Sequence, residues 1–222
     1  MSAIAVKEVK ERVIADNDAV AEEVKAGLKE KKVFFVNLMA SPGAGKTTTL
    51  VRTIEALKDR YKVGVMEADV DSVVDAETVA KTGAKVIQLH TGGSCHMDAD
   101  MTKRGLEALD CDGLDIVFLE NVGNLVCPAE FDVGASKRVM ILSVPEGDDK
   151  PLKYPLMFTV SDCLLINKTD TAEIFDFDMD RLQKNVKALN PDMPVIPVSS
   201  LKGDGFDAWI AWLEKEVCAW QK

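Results

Sequence analysis

One short segment restricts the possible folds of this chain more than any other, and it reads Ala40-Ser-Pro-Gly-Ala-Gly-Lys-Thr47. It lies between an apolar run at 33–39 and a stretch of helical character at 48–59. A glycine-rich loop between a strand and a helix binds polyphosphates, because its backbone N–H groups and the helix N-terminus face the phosphates. We therefore expect a P-loop in which Lys46 reaches the outer phosphates and the Thr47 hydroxyl holds Mg²⁺. The predicted phosphate-binding residues are Gly43, Ala44, Gly45, Lys46, Thr47 and Thr48.

The size and charge of the chain limit the classes of function that it can have. Its 222 residues suit one α/β domain, and the formal net charge of −10 argues against non-specific binding to nucleic acid or to anionic membranes. No apolar run is long enough to cross a membrane, and the N-terminus has no signal-peptide pattern, so we expect no membrane partner and a cytoplasmic location. The five cysteines are then expected to be thiols, metal ligands or reactive groups.

Strand-like and helix-like segments alternate after the P-loop. This pattern predicts an α/β fold with a mostly parallel sheet, helices on both faces, and ligands at the carboxyl ends of the strands. We predict an N-terminal helical extension at 1–32 and a P-loop GTPase domain at 33–222. The extension is expected to pack on the domain, and docking of a partner is the alternative. The predicted strands after 33–39 are 63–68, 85–89, 115–120, 138–144, 162–166 and 194–198, and the predicted helices besides 48–59 are 6–30, 74–82, 98–109, 179–189 and 205–219.

A second motif, Asn167-Lys-Thr-Asp170, indicates which base is bound. It follows the apolar run 163–166, so we expect it at the carboxyl end of a strand. The Asp170 carboxylate can accept two hydrogen bonds from guanine, whereas adenine offers neither donor on that edge. GTP is therefore predicted over ATP, with Lys168 covering the base and Asn167 tying this loop to the P-loop. The predicted base-binding residues are Asn167, Lys168 and Asp170 together with Ser199, Ser200, Leu201 and Lys202, whose backbone N–H groups could meet the guanine oxygen.

Carboxylates at the ends of two other strands predict the part of the site that senses the γ-phosphate. Glu120 is placed to orient Mg²⁺, and Gly123 can donate its backbone N–H to a γ-phosphate oxygen. One or two of the carboxylates Glu67, Asp69, Asp71 and Asp75 are predicted to serve Mg²⁺ or the attacking water. Asp69 and Asp75 are favoured, with helix capping as the alternative for Asp71 and Asp75. The predicted catalytic residues are Lys46, Asp69 and Glu120, and the predicted Mg²⁺ ligands are Thr47, Asp69, Asp75 and Glu120.

The sequence lacks an obvious group that would speed GTP hydrolysis. Asn124 rather than a glutamine follows Gly123, and no arginine presents itself as a finger in cis. We therefore predict slow intrinsic hydrolysis, as in a switch protein rather than a metabolic enzyme.

Cys95, His96 and Cys127 are side chains of the kind that bind Zn²⁺ or Ni²⁺. Adjacent side chains diverge in regular structure, so Cys95 and His96 can share one ion only in a loop, at a helix start, or with help from another chain. Three ligands leave a four-coordinate ion short, which predicts a site at or near a dimer interface. Because Cys127 lies four residues after Gly123, a change of nucleotide is expected to change metal affinity. The alternative is ordinary buried thiols and a capping histidine.

Together these motifs resemble the HypB family, the GTPases that assist nickel insertion into [NiFe]-hydrogenase. The resemblance covers roughly 33–215 and implies a P-loop fold of the SIMIBI class, GTP-dependent homodimerisation, Mg²⁺, and a nickel or zinc site at Cys95, His96 and Cys127. It also implies partnership with a HypA-type nickel chaperone and the hydrogenase large subunit, and nickel delivery coupled to GTP hydrolysis to GDP. The motifs that carry it are the P-loop, Thr91-Gly92 leading into 95–99, Glu120 to Pro128, 146–155, and 167–170.

Several features leave alternatives open. Residues 1–32 contain no cysteine and no histidine, so nickel storage there is not expected. Asp71-Ser72 stands where relatives often have glutamine and threonine, which leaves the first switch segment undefined. The block 146–155 is assigned to nucleotide contact or to the dimer interface, with a solvated loop as the alternative. The competing functions are a P-loop kinase or ligase, a metal-delivery GTPase of the urease or cobalamin type, and a redox-sensing GTPase with Cys95 or Cys127 as a reactive thiol.

Overall fold

The computed structural model describes residues 9–70 and 73–222. Within these residues, seven strands form one sheet in the order β3-β2-β4-β1-β5-β6-β7, and every neighbouring pair is parallel. The first eight residues of the predicted extension, together with Asp71 and Ser72, lie outside the described residues. The strands are β1 (Phe34–Ala40), β2 (Val63–Asp69), β3 (Lys85–His90), β4 (Ile116–Glu120), β5 (Lys137–Ser143), β6 (Cys163–Asn167) and β7 (Val195–Pro197).

Helices cover both faces of the sheet, as the alternating pattern predicts. α2, α3 and α9 pack on one face, and α1, α4, α5, α7 and α8 pack on the other. The helices are α1 (Val9–Glu30), α2 (Lys46–Leu57), α3 (Val74–Ala80), α4 (Ala99–Leu109), α5 (Cys127–Glu130), α6 (Lys150–Lys153), α7 (Pro155–Val160), α8 (Met179–Leu189) and α9 (Phe206–Trp220).

The central strand β1 shows why this arrangement is stable. All seven of its residues are buried, because its alternate side chains enter the two apolar layers on opposite faces of the sheet. Phe34 and Val36 contribute to the layer under α2 and α9, whereas Phe35 lies in the layer under α1 and α4. The P-loop follows β1 directly, so the phosphate-binding segment is anchored to the most buried part of the molecule.

The described part of the N-terminal extension is a helix that packs on the sheet domain. Ala21, Val24 and Leu28 are buried, and α1 lies against α4. Just after the end of α1, Val33 O accepts a hydrogen bond from the Trp220 indole at 2.9 Å, which joins the C-terminal helix α9 to the start of β1. No helix among the described residues is long and apolar enough to cross a membrane.

The predicted fold class is confirmed, and each predicted strand agrees with the observed one to within one residue at either end. The long helices also agree closely. The structure adds three short helices that the sequence analysis does not predict, α5, α6 and α7. α6 and α7 lie within or just after the block 146–155, which is therefore mostly short helix rather than open loop.

Candidate functional site

The P-loop joins β1 to α2, and two of its glycines have backbone angles that other residues rarely adopt. Gly43 has φ +77° and Gly45 has φ +95°. A Cβ atom at Gly45 would also lie 2.5 Å from Asn167 Nδ2. Gly45 is therefore required both by its backbone conformation and by the close approach of the neighbouring loop. α2 begins at Lys46, which places the lysine and Thr47 in the first turn of the helix.

Asn167 fixes the second nucleotide-binding loop to the P-loop. Its Nδ2 donates to Ala44 O at 2.9 Å, and its Oδ1 accepts from Ser200 N at 3.0 Å. Lys168 has φ +60°, and its Nζ donates to Gly43 O at 2.7 Å. The predicted contact between Asn167 and the P-loop is thus present, and one buried amide holds three loops together.

Asp170 lies at the other end of this region, beside the loop that follows β7. Ser199 Oγ donates to Asp170 Oδ1 at 2.7 Å, and this hydrogen bond lowers the pKa of Asp170, which keeps it ionised as an acceptor. The N–H groups of Ser199, Ser200 and Lys202 donate within the protein, to Asp204 O, Asn167 Oδ1 and Ser199 Oγ. In the predicted base-binding segment 199–202, the backbone N–H of Leu201 is thus the one that makes no hydrogen bond among the described residues.

Two buried carboxyl groups lie side by side below the phosphate-binding loop. Glu120 ends β4, and its Oε1 accepts from Thr47 Oγ1 at 2.8 Å. Glu67 on β2 is its partner in the parallel register, and both side chains are almost completely buried. Burial, reinforced by the charge of Glu120, raises the pKa of Glu67 to about 10, and burial raises the pKa of Glu120 to about 7 despite the nearby Lys46.

These carboxyl groups fit a divalent cation. Glu67 Oε1 and Glu120 Oε2 are buried without a hydrogen-bond partner among the described residues. A small, hard cation prefers oxygen ligands of this kind. Asp75, in the first turn of α3, is close enough for its charge to raise the pKa of both glutamates. Asp69 ends β2 at the same edge of the sheet. Two of the predicted Mg²⁺ ligands, Thr47 and Glu120, are thus in contact, and Asp75 is close enough to act on Glu120, whereas Asp69 lies at the end of the neighbouring strand.

Cys95, His96 and Cys127 form a second cluster. Their ligand atoms all lie within 4.8 Å of one another. The two thiol sulfurs are 3.2 Å apart, and Cys95 Sγ is 3.8 Å from His96 Nδ1. Both cysteines are free thiols; Cys95 is exposed, whereas His96 and Cys127 are half-buried. The adjacent residues converge because they lie in a loop, which is one of the conditions that the sequence analysis sets for a shared ion.

The loop that carries Cys95 and His96 is shaped by its own hydrogen bonds. It starts with a tight turn at Thr91, whose Oγ1 donates to Ser94 O at 2.7 Å, and Gly92 and Gly93 both have positive φ. It ends where the Asp98 carboxylate caps α4 by accepting from Met101 N at 2.7 Å. The pair of ligands is therefore held between a glycine turn and a helix N-terminus.

His96 is positioned by an aromatic side chain. The Phe131 ring stacks on the imidazole with ring centroids 4.2 Å apart and planes at 28°. Burial lowers the pKa of His96, so the ring is neutral at pH 7, which is the form that binds a metal. The hydrogen bond with Cys95, with burial, raises the pKa of Cys127. Phe131 follows α5, the short helix that begins with Cys127.

The segment that joins the two clusters runs against the P-loop. A Cβ atom at Gly123 would lie 2.9 Å from Pro42 Cγ and 3.0 Å from Pro42 N, so only glycine fits beside the loop. The next residue, Asn124, donates its backbone N–H to Ala40 O at 2.9 Å. Its side-chain Nδ2 donates to Cys95 O at 3.2 Å. A few residues thus connect the nucleotide-binding loop with the metal-ligand cluster.

The structure singles out residues that sequence reasoning left among several candidates or gave no role. The sequence names Glu67 only as one of several carboxylates near the end of a strand, and the structure pairs it with Glu120. Glu146 contacts the P-loop, since Ser41 Oγ donates to its Oε1 while its Oε2 accepts from Ser143 N at 2.7 Å. Phe131 and Asn124 have no pattern of their own in the sequence. The contact of Glu146 places the start of the 146–155 block beside the nucleotide-binding loop.

Comparison with known proteins identifies the relatives of this chain. Residues 34–197 match the family model described as CobW/HypB/UreG, nucleotide-binding domain. The hydrogenase maturation factor HypB of Azotobacter chroococcum mcd 1 is 44% identical over 211 residues, which cover 94% of this chain and 68% of that protein. The probable hydrogenase maturation factor HypB of Methanocaldococcus jannaschii is 37% identical, and the match covers 98% of both chains.

Solved structures give the same result. The crystal structure of HypB from Archaeoglobus fulgidus has a TM-score of 0.85 at 38% identity and covers 91% of this chain and 99% of its own. HypB from Helicobacter pylori, crystallised in complex with nickel, has a TM-score of 0.87 at 36% identity. The match covers 93% of this chain and 98% of that chain. The signal recognition particle receptor FtsY from Elizabethkingia anophelis, at 15% identity and a TM-score of 0.56, shares the fold alone.

Proposed function

This chain belongs to the HypB family of hydrogenase maturation factors, and from that premise we propose that it is a GTPase that binds a nickel ion and delivers it in a nucleotide-dependent way. The observation that carries the proposal is the convergence of Cys95, His96 and Cys127 at the end of the segment that packs against the P-loop. Two thiols and a neutral imidazole suit Ni²⁺ or Zn²⁺. The metal is cargo here, and the nucleotide site controls its release.

The nucleotide half of the proposal assigns roles to residues at the carboxyl edge of the sheet. The P-loop amides and Lys46 bind the phosphates of GTP, and Asp170 reads the guanine base with Lys168 against it. Mg²⁺ would be held by Thr47 and Glu120, with Asp69 and Asp75 nearby, and it would neutralise charge on the phosphates. Gly123, which lies against Pro42 of the P-loop, would donate its N–H to a γ-phosphate oxygen. Hydrolysis is proposed to be slow without a partner, because Asn124 rather than a glutamine follows Gly123 and the sequence has no obvious arginine finger.

The metal half of the proposal rests on deprotonation of the thiols. The two cysteines share a hydrogen bond, and binding of Ni²⁺ would release their protons. Three protein ligands leave one position of a tetrahedral ion for a group from outside the chain. We propose that a second copy of the chain, or a donor or acceptor protein, supplies it. The candidate partners are a HypA-type nickel chaperone and the [NiFe]-hydrogenase large subunit, and the homodimer is expected to form with GTP.

Nickel binding measured with each nucleotide tests this function. We expect the wild type to bind about one Ni²⁺ per chain in equilibrium dialysis, with affinities that differ by at least about fivefold between GDP and a non-hydrolysable GTP analogue. Cys95→Ser combined with Cys127→Ser should abolish binding. Cys218→Ser is the matched control, because Cys218 is also exposed but lies in α9, away from the cluster. Equal nickel affinity with both nucleotides would refute nucleotide-dependent delivery.

The alternative functions gain no comparable support. The relatives are hydrogenase maturation factors, and in Helicobacter they are named as hydrogenase/urease maturation factors. A redox-sensing role would need the two thiols to react in place of binding metal. Protection of both thiols from alkylation by one equivalent of Ni²⁺ would favour the metal site over that role.

A further inference from the structure

Asn124 contacts both sides of the boundary between the P-loop and the metal-ligand cluster. Its backbone N–H donates to Ala40 O at 2.9 Å, at the last residue of β1 before the P-loop. Its side chain donates from Nδ2 to Cys95 O at 3.2 Å and accepts at Oδ1 from Val126 N at 2.9 Å. One residue therefore touches the strand that leads into the P-loop and both cysteine segments.

We propose that Asn124 is the positioning residue that transmits the nucleotide state to the metal-ligand cluster. The inference rests on the proposed function, because it needs a nucleotide-dependent metal affinity to transmit. Its chemical basis is the planar amide, which offers a donor and an acceptor in a fixed relation. The Asn124 side chain bonds the Cys95 loop with its donor and the segment before α5 with its acceptor, so it sets the distance between these two segments. Any shift of Gly123 toward or away from the phosphates moves Asn124, the next residue, directly.

Two other residues near the cluster are less suited to this role. Phe131 stacks on His96 but follows α5, beyond the metal ligand Cys127. Asn121 bonds Met97 N at 3.2 Å and Asn37 Oδ1 at 3.1 Å, and it is completely buried in the sheet edge. That position favours a fixed support over a moving part. Asn124 is half-buried in a loop, where it can respond to Gly123 without disturbing the core.

This role also accounts for the residue type at this position. A side chain that follows the γ-phosphate-sensing glycine could orient the attacking water. Here the amide is engaged by Cys95 O and Val126 N instead, so it is directed at the metal-ligand cluster. Asn124 is therefore a positioning residue and not a catalytic one. Its loss should change the response of metal binding to nucleotide more than it changes GTP hydrolysis.

Asn124→Ala removes both side-chain hydrogen bonds, and Asn124→Asp keeps the acceptor for Val126 N while it removes the donor to Cys95 O. Phe131→Leu is the matched control, because it disturbs His96 without touching the connection to β1. Ni²⁺ alone is the probe, followed by thiolate-to-nickel absorption in the full-length protein, with GDP and with a GTP analogue. Melting temperature and GDP affinity establish that each variant is folded. If Asn124→Ala does not fold, Asn124→Asp alone provides the test.

We expect the wild type to show a ratio of nickel affinities between the two nucleotides of at least about fivefold. The ratio should fall below about twofold in Asn124→Ala and in Asn124→Asp, while Phe131→Leu weakens nickel binding with both nucleotides and keeps the ratio. An unchanged ratio in both Asn124 variants would overturn this inference and leave the proposed function intact. A wild-type ratio of one would overturn the proposed function as well, so the two failures are distinguishable.

Discussion

The buried pair of Glu67 and Glu120 affects the stability of the fold in addition to its proposed role in holding Mg²⁺. Glu67 has a pKa of about 10 in the folded protein and an ordinary value of 4.5, because burial and the charge of Glu120 disfavour its ionised form. Asp75 also opposes ionisation and Lys46 favours it, but burial dominates. Between these two pKa values the unfolded chain loses the proton and the folded protein keeps it. The free energy of unfolding therefore decreases as pH rises from about 5 toward 10.

Glu67→Gln should remove this pH dependence, because glutamine keeps the shape of the protonated side chain and cannot ionise. Without nucleotide and with Mg²⁺ chelated, we expect the variant to match the wild type near pH 5 and to exceed it by at least about 1 kcal/mol at pH 8. Urea unfolding from pH 5 to pH 8 measures the difference. Glu77→Gln removes an exposed carboxyl group of α3 and is the control. Parallel curves for Glu67→Gln and the wild type would contradict the buried, protonated state.

At the scale of elements, the contact between α1 and the sheet domain depends on one glycine. Gly134 has φ +76°, and a Cβ atom there would lie 2.5 Å from Ala21 O and 2.7 Å from Val24 Cβ. The helix backbone thus rests directly on the glycine. Gly83 offers a matched comparison, since it has φ +86° and nothing within 4 Å of an added Cβ atom.

Gly83→Ala should cost about 1 kcal/mol of unfolding free energy from backbone strain alone. Gly134→Ala should cost about 2 to 4 kcal/mol, because overpacking against α1 adds to the same strain. Urea unfolding of both variants at pH 7 gives the two losses, and GDP affinity should stay close to that of the wild type. Similar losses at the two positions would mean that α1 is not held against the domain as described.

The sequence predicts long elements well and short ones poorly, for a physical reason. β1 and α8 have enough residues to show a continuous apolar run or a helical period, and both are predicted within one residue. α5 and α6 have four residues each, which is only about one turn, so no period can develop. Each of these helices has a proline in its first turn, Pro128 in α5 and Pro151 in α6, which suits a helix start. A proline there does not tell how long the helix is. Local pattern could not place them.

The candidate sites divide in the same way. The P-loop, Asp170 and the metal-ligand set are predicted from residue types at fixed spacing, which follows from their chemistry. The pairing of Glu67 with Glu120 becomes visible only when β2 and β4 are aligned in register, since the two residues are distant along the chain. Phe131 and Asn124 act through contacts across loops, and a single sequence does not report which loops meet. Positioning residues are therefore harder to predict than ligands.

For the whole molecule, the charge balance bears on self-association. The chain carries a formal net charge of −10, so two copies that approach each other repel at low ionic strength. The proposed homodimer would have to overcome this repulsion through contacts made with GTP bound. Salt screens charges separated by more than about 10 Å at 0.1 M, and it screens close, partly buried contacts much less. Ionic strength therefore separates the long-range repulsion from the contacts of the interface.

Sedimentation equilibrium with a GTP analogue should therefore show a dimer that tightens with salt. We expect the dissociation constant to fall by about two- to fivefold between about 50 mM and 300 mM NaCl, because screening removes repulsion between the two acidic chains. The GDP-bound protein is the control and should stay monomeric at both salt concentrations. A dimer that weakens with salt would instead indicate an interface built on ion pairs between the copies. No dimer with the GTP analogue at any salt concentration would contradict GTP-dependent association, and the fourth nickel ligand would then have to come from a different protein.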